Sequence, residues 1–347
     1  MKEIQTEKTI HKPTSMTTTP ILQDVQKYGF IRQEVDPTLD LHHEIRQLKK
    51  DKQAVLLAHY YQESEIQDLA DYVGDSLGLA RQAAETDAKI IVFAGVHFMA
   101  ETAKILNPDK KVVIPDLNAG CSLSDSCPAP LFAEFKKKHP DHKVVTYINC
   151  SAGLKALSDV IVTSSNAVAI VESFPKDQPL IFAPDKNLGA YINKKTGRNM
   201  ILWNGACMVH EIFNHRKIKA LMDAYPDAEL LAHPECEDTV LNLAHYIGST
   251  TGILNYAKNS PKKRLIIATE PGILHGMQRS CPDKELIPAP SNQSCACNNC
   301  PHMKLNTLEK LYLTLLHETP ELTMPEDLRL AALKPIEVML ELSKGIR

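Results

Sequence analysis

Three stretches, LLAHYY at 56–61, VTYIN at 145–149 and LLAHPE at 230–235, share one shape: a short apolar run that ends on polar residues. His59, Tyr147 and His233 fall into register at separations of 88 and 86 residues. Tyr61, Asn149 and Glu235 keep the same two separations, and so do Ser76, Ser164 and Thr250. The last three sit in DYVGDSLGLARQA, DVIVTSSNAVAIV and HYIGSTTGILNYA, each a short strand, a turn with small hydroxyls and an amphipathic segment. Any α/β chain repeats strand then helix, so loose periodicity says little. Three sets of positions holding one pair of offsets point instead to three copies of a unit of about 87 residues.

The rest of the chain fits that unit. IIVFAG, KVVIPD, PLIFAPD, MILWNGA, RLIIATE and ELIPAP are further apolar runs separated by helix-like stretches. Continuous apolar strands alternating with helices are what a parallel sheet covered on both faces requires. The expected fold is α/β: three pseudo-symmetric three-layer α/β/α domains with parallel sheets around a central active site. The expected boundaries are an N-terminal arm at 1–45, units at 46–130, 140–215 and 226–303, and a helical tail at 304–347. The arm is expected to be frayed or loosely docked, because Pro, Thr and Lys dominate it. In open α/β sheets ligands bind beyond the carboxyl ends of the strands, so three units around one axis would aim their polar strand ends at a shared cavity.

Composition narrows the partners. The chain has 347 residues, 44% of them hydrophobic, enough for several cores, and a net charge of -3 gives no global field for nucleic acid or an anionic membrane. No apolar run approaches the roughly 20 residues of a membrane span, and the N-terminus lacks the features of a secretory peptide. A cytoplasmic protein is expected. Nine cysteines are few for a disulfide scaffold of this length and suit a reduced compartment with some thiols as metal ligands.

Three of those cysteines follow the last strand of a unit: Cys121 in LNAGCSLSD, Cys207 in NGACMVH and Cys300 in CNNCPH. Cys121 and Cys207 are 86 residues apart, at the repeat offset; Cys300 lies 93 beyond Cys207, displaced by a longer loop. Iron–sulfur clusters normally take four cysteines. Three thiolates, one per unit, would leave one iron open as a Lewis acid, much as catalytic zinc keeps an open position. Zinc competes, since Cys295, Cys297, Cys300 and His302 form a local cluster, although a Cys-x-Cys pair is too close for the usual zinc knuckle. Cys127, Cys150, Cys236 and Cys281 read as packing residues or spare thiols.

At this point the motifs are recognisable. LLAHYYQ, GDSLGLAR, VHFMAETAKILNPDK, AGCSLSDSCP, TYIN, VTSSNA, APDKNLGAY, NGACMVHE, HPEC, GSTTG and NNCPHMKLN resemble the quinolinate synthase family over about residues 50 to 305, in order. The resemblance implies three similar α/β domains around a 4Fe-4S cluster held by Cys121, Cys207 and Cys300. It also implies condensation of iminoaspartate with dihydroxyacetone phosphate to quinolinate, phosphate and two waters, a step of de novo NAD biosynthesis catalysed by a carbon–carbon bond-forming transferase with dehydration. The substrate-binding positions it implies are His59, Ser76, Tyr147, Asn149, Ser164, His233, Glu235 and Thr250, with Tyr61 and His210 also matching the site. A transient contact with the enzyme supplying iminoaspartate belongs to the same expectation. One departure stands out: relatives often carry a Cys-x-x-Cys-x-x-Cys run, whereas Cys295 and Cys297 are separated by one residue, which puts a disulfide switch between them in doubt.

Roles follow from the chemistry. Ser76, Ser164 and Thr250, each ahead of a helix, suit carboxylate or phosphate groups, although Ser and Thr are also ordinary helix caps. Glu235, with His59 and His233, is expected to do the general acid–base work, with Tyr61 and Tyr147 as donors to a developing enolate. Lys186, and Lys104 with Glu101, read as structural or electrostatic, because the substrate is already an imine. No Gly-x-Gly-x-x-Gly run or P-loop is present. The alternatives are a redox iron–sulfur enzyme, for which no electron-partner motif is visible, and a non-enzymatic sensor, which would not need the polar strand ends.

Overall fold

The computed structural model describes residues 20–292 and 298–344. Three four-stranded parallel sheets carry the molecule. The first holds β1 (Ala54–His59), β2 (Tyr72–Gly74), β3 (Ile90–Ala94) and β4 (Lys111–Val113); the second β5 (Lys143–Tyr147), β6 (Val160–Val162), β7 (Leu180–Ala183) and β8 (Ile201–Leu202); the third β9 (Glu229–Ala232), β10 (Tyr246–Ile247), β11 (Arg264–Ala268) and β12 (Glu285–Pro288). Their orders are β2-β1-β3-β4, β6-β5-β7-β8 and β10-β9-β11-β12, one topology used three times. The register repeats as well: His59 pairs with Gly74, Tyr147 with Val162 and Ala232 with Ile247. The central strands β1, β3, β5, β7 and β11 are buried over nearly their whole length, as a sheet with helices on both faces demands.

In each order the second and third strands are added on opposite sides of the first, and the switch point between the first and third strands is where an α/β sheet opens a crevice. The ends of β1, β5 and β9 therefore present His59, Tyr147 and His233 beside the ends of β3, β7 and β11. One apolar cluster joins the first and second units across one face of each sheet and takes in Ala332, Ile336 and Met339 of the tail helix Glu326–Leu342, while the other face of each of these sheets has a cluster of its own. The third unit keeps separate clusters on the two faces of its sheet.

Residues 20–45 dock on the body through a few contacts. Pro20–Tyr28 is helical, Ile31 and Ile45 are buried, the Leu117 N–H donates to the Gly29 carbonyl at 2.9 Å, and Lys310 Nζ lies 4.0 Å over the Phe30 ring. A few apolar anchors dock this polar stretch, too few to register as a periodic pattern. The helices Leu308–His317 and Glu326–Leu342 pack back on the body, the first on Leu41–Asp51 and the second on β6 and on Ala152–Lys155. No helix among the described residues is long and apolar enough to cross a membrane.

Candidate active site

Every residue expected at the site lines one cavity: Cys121, Cys207 and Cys300; His59, Tyr61 and Ser76; Tyr147, Asn149 and Ser164; His210, His233, Glu235 and Thr250. The cavity between these side chains is about 60 Å³ and opens to solvent at its mouth. Cys127, Cys150, Cys236 and Cys281 lie buried in apolar clusters instead. Lys186 pairs with Glu211 at 2.7 Å and Lys104 with Glu321 at 3.7 Å, and neither lysine lines the cavity. Cys295 and Cys297 fall outside the described residues, so the local zinc cluster is described only at Cys300 and His302.

The hydroxyl positions differ from expectation in detail. Ser76 and Thr250 are the first residues of the helices Ser76–Glu85 and Thr250–Asn259, whose caps stand one residue earlier: Asp75 accepts the Gly78 N–H, and Ser249 that of Gly252. Ser164 does not begin a helix. Asn166 Oδ1 accepts the Thr163 N–H at 2.6 Å and closes a turn, which delays the second unit's helix to Ala167–Ser173.

The histidine tautomers follow from backbone contacts. The Tyr61 N–H donates to His59 Nδ1 at 3.2 Å and the Glu235 N–H to His233 Nδ1 at 3.4 Å. Both rings therefore carry their proton on Nε2 when neutral. Burial keeps them neutral: it pulls His59 down to about 4 against the carboxylates of Asp75 and Glu235, and His233 down to about 3 against Glu235. His233 Nε2 lies 3.3 Å from Ser164 Oγ.

Glu235 is the centre of charge. Burial alone would raise its carboxyl, but His210 and His233, together with hydrogen bonds from His210 and Tyr147, bring it down to about 2. Because burial holds His233 neutral, the partner that counts is His210, whose Nδ1 stands 2.7 Å from Glu235 Oε2. The other ring nitrogen, Nε2, lies 2.9 Å from Thr269 Oγ1. Thr269 Oγ1 in turn lies 2.6 Å from the Tyr61 hydroxyl, which also meets Thr250 Oγ1 at 3.1 Å. Burial first, then the Glu235 charge, push the Tyr61 and Tyr147 hydroxyls well above their usual range, so both are donors. An unbroken hydrogen-bonded chain thus runs from Tyr61 through Thr269 and His210 to Glu235. Asn149 Nδ2 reaches Glu235 Oε1 at 3.5 Å, leaving Asn149 Oδ1 buried without a partner.

Thr269 escaped the sequence reading. It stands one residue past β11, in register with Gly95 and Pro184 of the other units, so the repeat shows no hydroxyl there.

Several of these groups suit a metal. Ligand atoms of Cys207, His210 and Glu235 lie within 4.8 Å of one another. The three thiols interact as well. Burial raises Cys121 to about 12 with the Cys300 charge adding to it, and pushes Cys207 well above its usual value with Glu235 and Cys121 adding. Three thiolates here are unfavourable alone and favourable around a cation, which is the donor set an iron–sulfur cluster takes.

Residues 43–341 match the family described as NadA, quinolinate synthetase A protein. The chain is 63% identical over 305 residues to quinolinate synthase of Nostoc punctiforme, covering 88% of this chain and 94% of that protein. It is 65% identical over 307 residues to quinolinate synthase of Chloroherpeton thalassium, covering 88% and 95%, and 61% identical over 303 residues to that of Cyanophora paradoxa, covering 87% and 92%. Likeness at this level over nearly the whole of each relative makes the chain an enzyme of the quinolinate synthase type, and it belongs to the quinolinate synthetase A family.

Proposed function

We propose that the cavity condenses iminoaspartate with dihydroxyacetone phosphate, releasing phosphate and two waters to form quinolinate, with a 4Fe-4S cluster held by Cys121, Cys207 and Cys300. The observation that carries this reading is the convergence on one cavity of a cysteine from each unit and the polar ends of β1, β5 and β9. Such a cluster, held by three thiolates, supplies a Lewis-acidic iron for loss of water.

The chain's own residues do the rest. Both substrates are anions, and the cavity meets them with donors: the Nε2–H groups of His59 and His233, the second oriented by Ser164, and the hydroxyls of Ser76 and Thr250 at positive helix ends. Glu235, ionised and buried, takes the proton released when the triose enolises. His210 Nδ1 holds that carboxylate, and the Tyr61 hydroxyl at the far end of the chain donates to an oxygen of the substrate as the proton taken by Glu235 returns to it through His210 and Thr269. Tyr147 and Asn149 orient Glu235 from the second unit.

Anaerobic purification with iron and sulfide analysis tests the reading. About four irons per chain are expected, lost in Cys121→Ser, Cys207→Ser and Cys300→Ser and retained in Cys127→Ser and Cys281→Ser. One zinc and no iron would overturn it in favour of a mononuclear site at Cys207, His210 and Glu235, the second reading that their spacing supports.

A further inference from the structure

Behind one wall of the cavity stands an ionisable group that does not line it. Glu270, two residues past β11, is wholly buried. A carboxylate in such a place must be met by hydrogen bonds and a cation to replace its lost hydration. Its Oε1 accepts the backbone N–H of Cys300 at 3.2 Å, and its Oε2 accepts that of Gly272 at 2.7 Å. Lys304 Nζ lies 3.6 Å from Oε1 and 3.4 Å from Glu63, and it donates to the Tyr61 carbonyl at 2.9 Å. The Tyr61 hydroxyl returns to Thr269, the residue before Glu270. A ring therefore closes through Glu270, the Cys300 backbone, Lys304, Tyr61 and Thr269, with a cavity thiol on one arc and a cavity phenol on the other.

The seam around this ring is tightly packed. A Cβ on Gly272 would lie 2.8 Å from Tyr61 Cα and 2.9 Å from the Tyr60 carbonyl, so only glycine permits the approach. Gln67 Nε2 bonds the Tyr60 and Gly272 carbonyls at 2.9 and 3.0 Å, across the same seam between first and third units.

The repeat gives an independent view of the position. Two residues past the third strand of each unit stand Val96, Asp185 and Glu270, separated by 89 and 85 residues. Asp185 is also wholly buried. Its Oδ1 accepts the Leu188 N–H at 2.7 Å, while its Oδ2 makes no hydrogen bond, and Asp185 forms a parallel β-bridge with Gly205, two residues before Cys207. Two of the three cysteine loops thus rest beside a buried carboxylate at one register position, and the third meets an apolar Val96.

We infer that Glu270 and Lys304 are positioning residues that hold the Cys300 sulfur and the Tyr61 hydroxyl at a set separation across the cavity. Only the metal arm of the test below rests on the cluster reading. Glu270→Gln keeps the shape but sets an amide donor against one of the two backbone N–H groups and leaves Lys304 with Glu63 alone. Lys304→Met removes the tie to Tyr61.

In the metal-free protein, alkylation by iodoacetamide with fragment-level mass mapping should label Cys300 at least tenfold faster in both variants. Cys121 and Cys207 should be unchanged, and Lys304→Arg should restore the wild-type rate. In the iron-loaded protein, a ferrous chelator should strip iron at least tenfold faster from both variants, and the double variant should lose iron no faster than the worse single one. If Glu270→Gln does not fold, Lys304→Met and its arginine rescue carry the test alone. Cys300 labelling within twofold of wild type, or an equal rise at all three cysteines, would overturn the inference. A wild-type protein that binds no iron would sink the cluster reading while the alkylation arm still decides this one.

Discussion

The strand ends of the first and third units are built alike and loaded differently. In both, the second residue after a histidine turns its backbone N–H onto that ring's Nδ1, and burial keeps the imidazole neutral. That second residue is Tyr61 in one unit and Glu235 in the other. Burial pushes the phenol up, whereas His210 and Tyr147 help bring the carboxyl down to about 2. One backbone device thus presents a proton donor at one end of a chain and an acceptor at the other. Environments that push two titratable groups apart are what separate an acid from a base. Triplication supplied equivalent frames around an axis, and divergence at a single register position divided the labour.

The largest effect should come from erasing the acceptor. Glu235→Gln should lower kcat by about 10²- to 10⁴-fold, the usual contribution of a general base, with iron content unchanged. Tyr61→Phe should act in the same direction but less, because Tyr147 and the histidines remain as donors. Steady-state turnover of both variants measures the asymmetry, and equal losses would mean that the two ends act as one unit and that the comparison is wrong.

Where the two ends agree, the shared property is acid sensitivity. In the unfolded chain His59 and His233 titrate near 6.5, whereas folding lowers them to about 4 and about 3. Between those values the unfolded state binds protons that the folded state does not, so stability is full above about pH 6.5 and falls as pH drops toward 3. Each ring accounts for a slope of about 1.4 kcal/mol per pH unit in its window. Denaturant midpoints of the metal-free protein between pH 4.5 and 7.5 should show the wild-type slope reduced by that amount in His59→Asn and again in His233→Asn.

Much of this was legible because the units diverged so little in length. Offsets of 88 and 86 residues brought the ends of β1, β5 and β9 into register and so found His59, Tyr61, Tyr147, Asn149, His233 and Glu235 together. Thr269 and Glu270 stayed hidden for the opposite reason: after β11 the corresponding residues elsewhere are Gly95 and Val96 or Pro184 and Asp185, so chemistry at that register is not repeated. Their roles come from contacts between units, which no local pattern encodes. Which residues of the 20–45 segment dock was hidden for a similar reason, since it is held by scattered contacts such as Ile31 and Phe30 rather than by a periodic face.

That hidden residue gives a subtler test of the comparison. Thr269→Val keeps the volume of the side chain but removes the hydroxyl that joins Tyr61 to His210. Two buried partners would lose a hydrogen bond, a cost of about 1–3 kcal/mol that predicts a roughly 10- to 100-fold fall in kcat, smaller than for Glu235→Gln. Because Glu235 and its bond to His210 survive, KM and iron content should hold.

The smallest effects should fall on the hydroxyls, and here the second unit is the odd one. Ser76 and Thr250 begin helices and can add the favourable helix end to their own hydrogen bond, whereas Ser164 sits in a turn and meets His233 Nε2. Removing a hydroxyl that only binds an anion at a helix start loses ground-state and transition-state contact together, about 0.5–1.5 kcal/mol, so Ser76→Ala and Thr250→Val should raise KM about three- to tenfold with kcat nearly intact. Ser164→Ala removes an oxygen that orients an imidazole, so its loss should appear in kcat instead. The KM-against-kcat split for the three variants therefore separates two anion-binding positions from one that positions a histidine. An identical KM effect in all three would restore the simpler picture of three equivalent hydroxyls.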